Sequence, residues 1–131
     1  SVYPKSGVRD AFHTLSHHSN IKDNMDRFAQ LNKYHVTIFT YLLDKLRNTK
    51  EGDGNLLDHS MVLYGSAMSD GNQHNHGPLP IILAGGANGK LKGNQYISAF
   101  GNTTANLLLS TLHLMGIEKD SIGDSTGPIS I

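Results

Sequence analysis

Five of the eight histidines in this chain fall in two short runs. The first, FHTLSHHSN over residues 12–20, holds His13, His17 and His18 beside Ser16. The second, SDGNQHNHGPLP over residues 69–80, holds His74 and His76 beside Asp70. A neutral imidazole carries protons near pH 7 and ligates borderline metal ions, so acid–base work and metal binding are the two chemistries to weigh. His13 and His17 are four apart and would share one face of a helix, where they could hold one ion. His17 and His18 are adjacent, and both could serve one site only from irregular backbone. Asp70, Asn72, His74 and His76 alternate, so an extended segment would project all four to one side. That set, a carboxylate with two imidazoles, suits zinc or the two-histidine, one-carboxylate arrangement of iron. The alternative is that these are loop histidines hydrogen-bonded to backbone or to one another. Ser16 has the histidine neighbours that an activated nucleophile needs. It lacks a G-x-S-x-G turn and a partner acid, so its expected role is to hold its loop by a hydrogen bond.

The remaining histidines read differently. His35 falls on the apolar face of a helical pattern and is expected as a core histidine. His113 is helical and structural. His59 follows Asp58 before a strand, where turn chemistry accounts for both.

Positioning these side chains falls to a chain of 131 residues, enough for one domain. Apolar residues make up 37% and charged ones 17%, and 11 Lys+Arg balance 11 Asp+Glu, so no field draws in nucleic acid or an anionic membrane. Without cysteine, disulfides and thiolate zinc sites are excluded. No apolar run approaches the ~20 residues of a membrane span. The chain opens on Ser1 without an initiator Met, which reads as a processed or excised piece of something longer.

Residues 1–20 lack a sustained period and read as an irregular arm. Asn20 followed by Asp23 looks like an N-cap with an acid in the first turn. Met25, Phe28, Leu31, His35, Ile38, Phe39, Leu42, Leu43 and Leu46 then recur at three- and four-residue steps, predicting an amphipathic helix over 21–48. KEGDGN reads as a solvated turn in preference to a calcium loop, since no twelve-residue EF-hand pattern surrounds it. Short apolar runs near 61–67 and 80–84 read as buried strands. Thr103 can cap a final helix that ends at Gly116. Helices and apolar strands in this order suggest an α/β layered sheet with the two strands flanked by helices. Two short strands and a long amphipathic helix leave apolar faces for the upstream part of the same protein, or another chain, to cover.

HTLSHH at residues 13–18 reproduces the signature of the bacterial HXXSHH-motif family, a domain of unknown function. LNKYHVTIFTYLLDKL, LLDHSMVLYGSAMSDGNQHNHGPLPIILAGG and LMGIEKDSIGDSTG are also similar to the C-terminal part of its members. The resemblance runs over essentially the whole chain. It implies a single C-terminal fragment, residues 1–131, of a longer exported protein, periplasmic or extracellular. More distantly, the strand, Asp70, later loop histidine His76, Pro-bearing strand and helix ending in Gly-Ile resemble the order found in the alkaline phosphatase and sulfatase superfamily. That likeness implies the C-terminal portion of an alkaline-phosphatase-like layered sheet and a divalent metal (zinc, iron, manganese or calcium) serving hydrolysis of a phosphate or sulfate ester. Gly71 stands where that superfamily has a histidine ligand, and its nucleophile would lie upstream. The resulting expectation is a metal set of Asp70, His74, His76, His13 and His17, with Ser16 and His18 behind it, the two runs meeting in one polar cleft. The competing expectation is a non-catalytic binding or assembly protein that retains the scaffold.

Overall fold

A computed structural model describes all of residues 1–131. The elements in chain order are α1 (Phe12–Ser16), α2 (Lys22–Arg47), β1 (Lys50–Glu51), β2 (Gly54–Asn55), β3 (Val62–Gly65), β4 (Ile81–Ala84) and α3 (Thr104–Leu114), with 3-10 turns at Pro4–Ser6 and Ala87–Gly89. Helices with two small sheets place the chain in the mixed α/β class. β1 and β2 form an antiparallel hairpin, with Lys50 opposite Asn55 and Glu51 opposite Gly54, which turns KEGDGN into a tight loop. β3 pairs with β4. Gly65 lies against Pro80 O and Ile81, and Ser66 N–H donates to Pro80 O, which sets the antiparallel sense.

The chain divides into two compact units: Ser1–Lys45 with Leu63–Ile82, and Leu46–Val62 with Leu83–Ile131. In the first, Leu31 of α2 is fully buried and packs with Val8 and Leu15 under a rim of Tyr3, Phe12 and Phe28. His35 joins that rim, its ring centroid 4.6 Å from Tyr3 and 5.1 Å from Phe12, the core histidine its position on the apolar face predicts. Further along α2, Phe39 is buried and stacks on Tyr64 of β3 at 4.7 Å. Arg27 ties the N-terminal arm to α2, pairing with Asp10 and lying 3.1 Å from Asp23. Elsewhere on the α2 stripe Leu43 and Leu46 are half-buried, while Ile38 and Leu42 are 47% and 45% exposed. No helix is long and apolar enough to cross a membrane.

The second unit is built on α3 and on a close backbone fit. Thr103 Oγ1 accepts from Asn106 N–H, the cap its position predicts. Leu109 is fully buried, and buried Asn106 and Ser110 hold the C-terminal segment through Thr126 and Ile129. His113 Nε2–H donates to Lys119 O at 2.8 Å, closing the turn after α3. Gly85 and Gly86 lie so close to residues 58–60 that a Cβ would sit 2.2 Å from Ser60 O and 2.5 Å from Asp58 O.

Three local expectations are corrected. The irregular arm contains a one-turn helix, α1, too short to show a hydrophobic period. Asn20 does not cap α2: it sits at φ 57, its own N–H donates to His18 Nδ1, and the helix starts two residues later. The second histidine run is not extended. Ser69 N–H donates to Asn75 O and Asn75 N–H to Asp70 O, so the segment closes into a turn and the alternation does not translate into one face.

Candidate functional site: two histidine runs in one place

Both runs belong to the first unit, and they meet. α1 puts His13 and His17 one turn apart, His17 at the C-terminal cap, and their rings pack edge to face with centroids 4.7 Å apart. The ring of His17 in turn lies 4.9 Å from that of His74. Sequence spacing alone gives the first contact; the second depends on the loop, where His74 adopts φ 57. Few residues other than glycine hold that conformation, and it persists only where the surroundings fix it.

The contact is held on both sides of the rings. Ser19 N–H donates to Asn72 Oδ1 at 2.9 Å, joining the two runs directly. Ser19 and Asn20 are themselves left-handed, at φ 52 and 57, which turns the chain from α1 into α2. Ser16 Oγ–H donates to His13 O at 2.8 Å, within α1. The same serine packs against Gly71, where a Cβ would lie 3.0 Å from Ser16 Cβ and 3.2 Å from Ser16 O. A side chain at position 71 therefore requires the loop or Ser16 to give by a few tenths of an ångström.

His18 and Asp70 form a second pair beside the rings. Asn20 N–H donates to His18 Nδ1 at 3.1 Å, so the neutral ring carries its proton on Nε2. That nitrogen faces Asp70 Oδ1 at 3.7 Å. Asp70 Oδ1 also accepts Asn72 N–H at 2.8 Å and Gln73 N–H at 3.3 Å, so this carboxylate oxygen organises its own loop. His76 Nδ1–H donates to Ala67 O at 3.0 Å, which leaves the lone pair on Nε2. In these orientations no group of three or more His, Asp or Glu side chains is arranged around a common point as the ligands of an ion would be.

The ligand position that the distant resemblance assigns to residue 71 carries no side chain here. Space beside Gly71 is tight, with Ser16 Cβ 3.0 Å from where a Cβ would stand, and Asp70 Oδ1 accepts from two loop amides.

The second unit holds a shallow, open depression that sequence reasoning passed over. Glu51, Asp53, Leu56, His59, Ser60 and Asn88 line a volume of about 650 Å³. His59 Nδ1–H donates to Asn88 Oδ1 at 2.6 Å, and its Nε2 lies 3.8 Å from Asp53. The Asn88 hydrogen bond, with Glu51, Asp53 and Asp58 nearby, raises the His59 pKa above its ordinary value against a smaller opposing effect of burial. The adjacency of Asp58 and His59 was the available signal; Asn88 reaches them only through the Gly85–Gly86 fit.

Compared with known protein families, curated proteins and solved structures, the chain matches none.

Proposed function

We propose that the first unit carries part of a site that handles a phosphate or sulfate ester with the help of a divalent metal. The protein would be an exported one, periplasmic or extracellular, similar to the HXXSHH-motif family. The observation behind this reading is the packing of His17 on His74, which gathers imidazoles from both runs. Clustered imidazoles suit ester chemistry: a protonated ring offsets anionic charge, and a neutral one accepts a proton from an attacking hydroxyl or water. His18, its proton on Nε2, lies 3.7 Å from Asp70, whose Oδ1 is oriented by the Asn72 and Gln73 amides. A bound divalent ion (zinc, iron, manganese or calcium) would supply stabilisation of developing negative charge. In this reading β3, β4 and the helices are the C-terminal portion of an alkaline-phosphatase-like layered sheet. The upstream part of the same protein, or another chain, supplies the nucleophile and covers the exposed stripe of α2.

A second reading, a non-catalytic binding or assembly protein on the same scaffold, is favoured by Gly71, which puts no side chain where the superfamily has a histidine ligand. The experiment that separates them measures hydrolysis of p-nitrophenyl phosphate and sulfate with added metal, for the full-length protein and for His17→Gln and His74→Gln. Turnover that falls in both variants supports the hydrolytic reading. Absence of turnover, or turnover indifferent to both substitutions, favours the binding one.

A further inference from the structure

The first unit has a shallow, open depression of its own, lined by residues of neither histidine run, where the 3-10 turn Pro4–Ser6 rests on α2. Lys5 and Ser6 of the turn and Gln30, Lys33 and Thr37 of α2 line it, around a volume of about 600 Å³. The turn is fixed on the helix. Gln30 Nε2–H donates to Ser6 O at 2.7 Å. Ser6 Oγ–H donates to Tyr3 O at 2.6 Å, and the same oxygen accepts Val8 N–H at 3.1 Å. Gly7 closes the turn at φ 81 with its N–H on Pro4 O, and a Cβ there would stand 2.9 Å from Gln30 Nε2. These bonds keep Lys5 and Lys33 at one depression although they come from different elements.

No acid lines the depression, and neither Lys5 nor Lys33 pairs with a carboxylate. The acids before Lys33 are engaged elsewhere, Asp10 and Asp23 by Arg27 and Asp26 by Lys22. Two unpaired ammonium groups are the complement of an anion. The other lining groups need the opposite partner. Gln30, its amide N–H given to Ser6 O, keeps Oε1 to accept. Thr37 Oγ1–H donates to Lys33 O at 3.0 Å and keeps its lone pairs. A bare sulfate has no proton to give these acceptors. A sugar that carries a sulfate or phosphate ester serves both sets, with ester oxygens for the lysines and hydroxyls for Gln30 and Thr37.

We infer that this depression binds a sulfated or phosphorylated carbohydrate, Lys5 and Lys33 holding the ester group and Gln30 and Thr37 accepting from sugar hydroxyls. Its volume matches small-ligand sites, and its openness suits one unit of a longer glycan passing across it. The site is one of binding and needs no turnover at the histidine runs.

The test is calorimetric titration of the full chain with dextran sulfate and dextran phosphate oligomers, against neutral dextran, inorganic sulfate and a phosphoserine peptide. The two sugar esters should bind, and neutral dextran should not. Lys5→Gln and Lys33→Gln should each weaken the esters about threefold at low salt, and together about tenfold. The loss should fade as salt screens the charges. Thr37→Val should weaken the sugar esters about threefold and leave inorganic sulfate unchanged. Lys92→Gln, at an exposed lysine of the other unit, should bind within about twofold of the parent. Circular dichroism of each variant separates lost binding from lost folding. The assignment is overturned if the sugar esters do not bind, or if inorganic sulfate or the phosphopeptide binds as tightly as they do. It is equally overturned if Lys92→Gln loses as much as Lys5→Gln. Hydrolysis is read separately, so the hydrolytic proposal can fail while this site stands, and the reverse.

Discussion

Replacing Gly71 with alanine should loosen the joint between the two histidine runs. The new Cβ would lie 3.0 Å from Ser16 Cβ, 3.2 Å from Ser16 O and 3.5 Å from Ser16 Oγ. Ordinary contact between such atoms begins near ~3.5 Å, so the loop must retreat from α1 by roughly half an ångström. Neither closest atom is the end of a flexible side chain, and overpacking of this kind costs about 1–3 kcal/mol. One residue along, the Ser19 N–H bond to Asn72 Oδ1 stands at 2.9 Å. A retreat of that size takes it to the edge of bonding and forfeits about 1 kcal/mol more. Hydrogen exchange at the Ser19 amide reads the local opening directly. Exchange should quicken about thirtyfold or more in Gly71→Ala, corresponding to about 2 kcal/mol or more of local stability. Removing the opposing Cβ should relieve the closer contact and leave that with Ser16 O, so Ser16→Gly with Gly71→Ala should recover protection in part, with a coupling of about 1 kcal/mol relative to the single variants. Unchanged protection in Gly71→Ala, or additive single effects, would refute the claim that Ser16 and Gly71 set this joint.

Gly85→Ala should be far more damaging, on the order of 3 kcal/mol or more, because its Cβ would meet Ser60 O at 2.2 Å from a backbone at φ 110; a urea midpoint near that of the parent would contradict this. His59 is held with a raised pKa, so its contribution to stability is complete below about 6.5, the unfolded value, and is lost as pH rises through the folded value. Asn88→Gly removes the main cause without straining a position at φ 58, and should lower the His59 pKa measured by NMR; an unmoved titration would sink that assignment. On α2, Phe39→Ala should cost about 3–5 kcal/mol, whereas Leu42→Gln on the uncovered stripe should stay within about 0.5 kcal/mol, and equal losses in thermal melts would mean that the stripe is covered.

The long helix was legible because twenty-six residues repeat one period many times, and β3, β4 and α3 because apolar runs and a threonine cap mark them. The pairing of His13 with His17 was legible only on condition of a helix there, four residues being one turn, and α1 is too short to announce itself by period. What was not legible is non-local or left-handed. Nothing local announces that Gly71 will meet Ser16, that Asn72 will reach Ser19, or that His74 will sit at φ 57. The alternation of Asp70, Asn72, His74 and His76 misled because a run rich in Gly and Asn turns instead of extending, and its carboxylate then bonds its own amides. Asn20 misled likewise: asparagine serves both as cap and as left-handed turn residue, and here the turn wins.

The claim that two distant histidine runs form one site is tested most directly by proton–proton NOEs between imidazole rings in histidine-labelled protein. The His13–His17 pair, 4.7 Å apart within one helical turn, is the internal control. A cross-peak of similar strength between His17 and His74, 4.9 Å apart, is the expected result. A clear His13–His17 cross-peak with none between His17 and His74 would show that the runs do not meet.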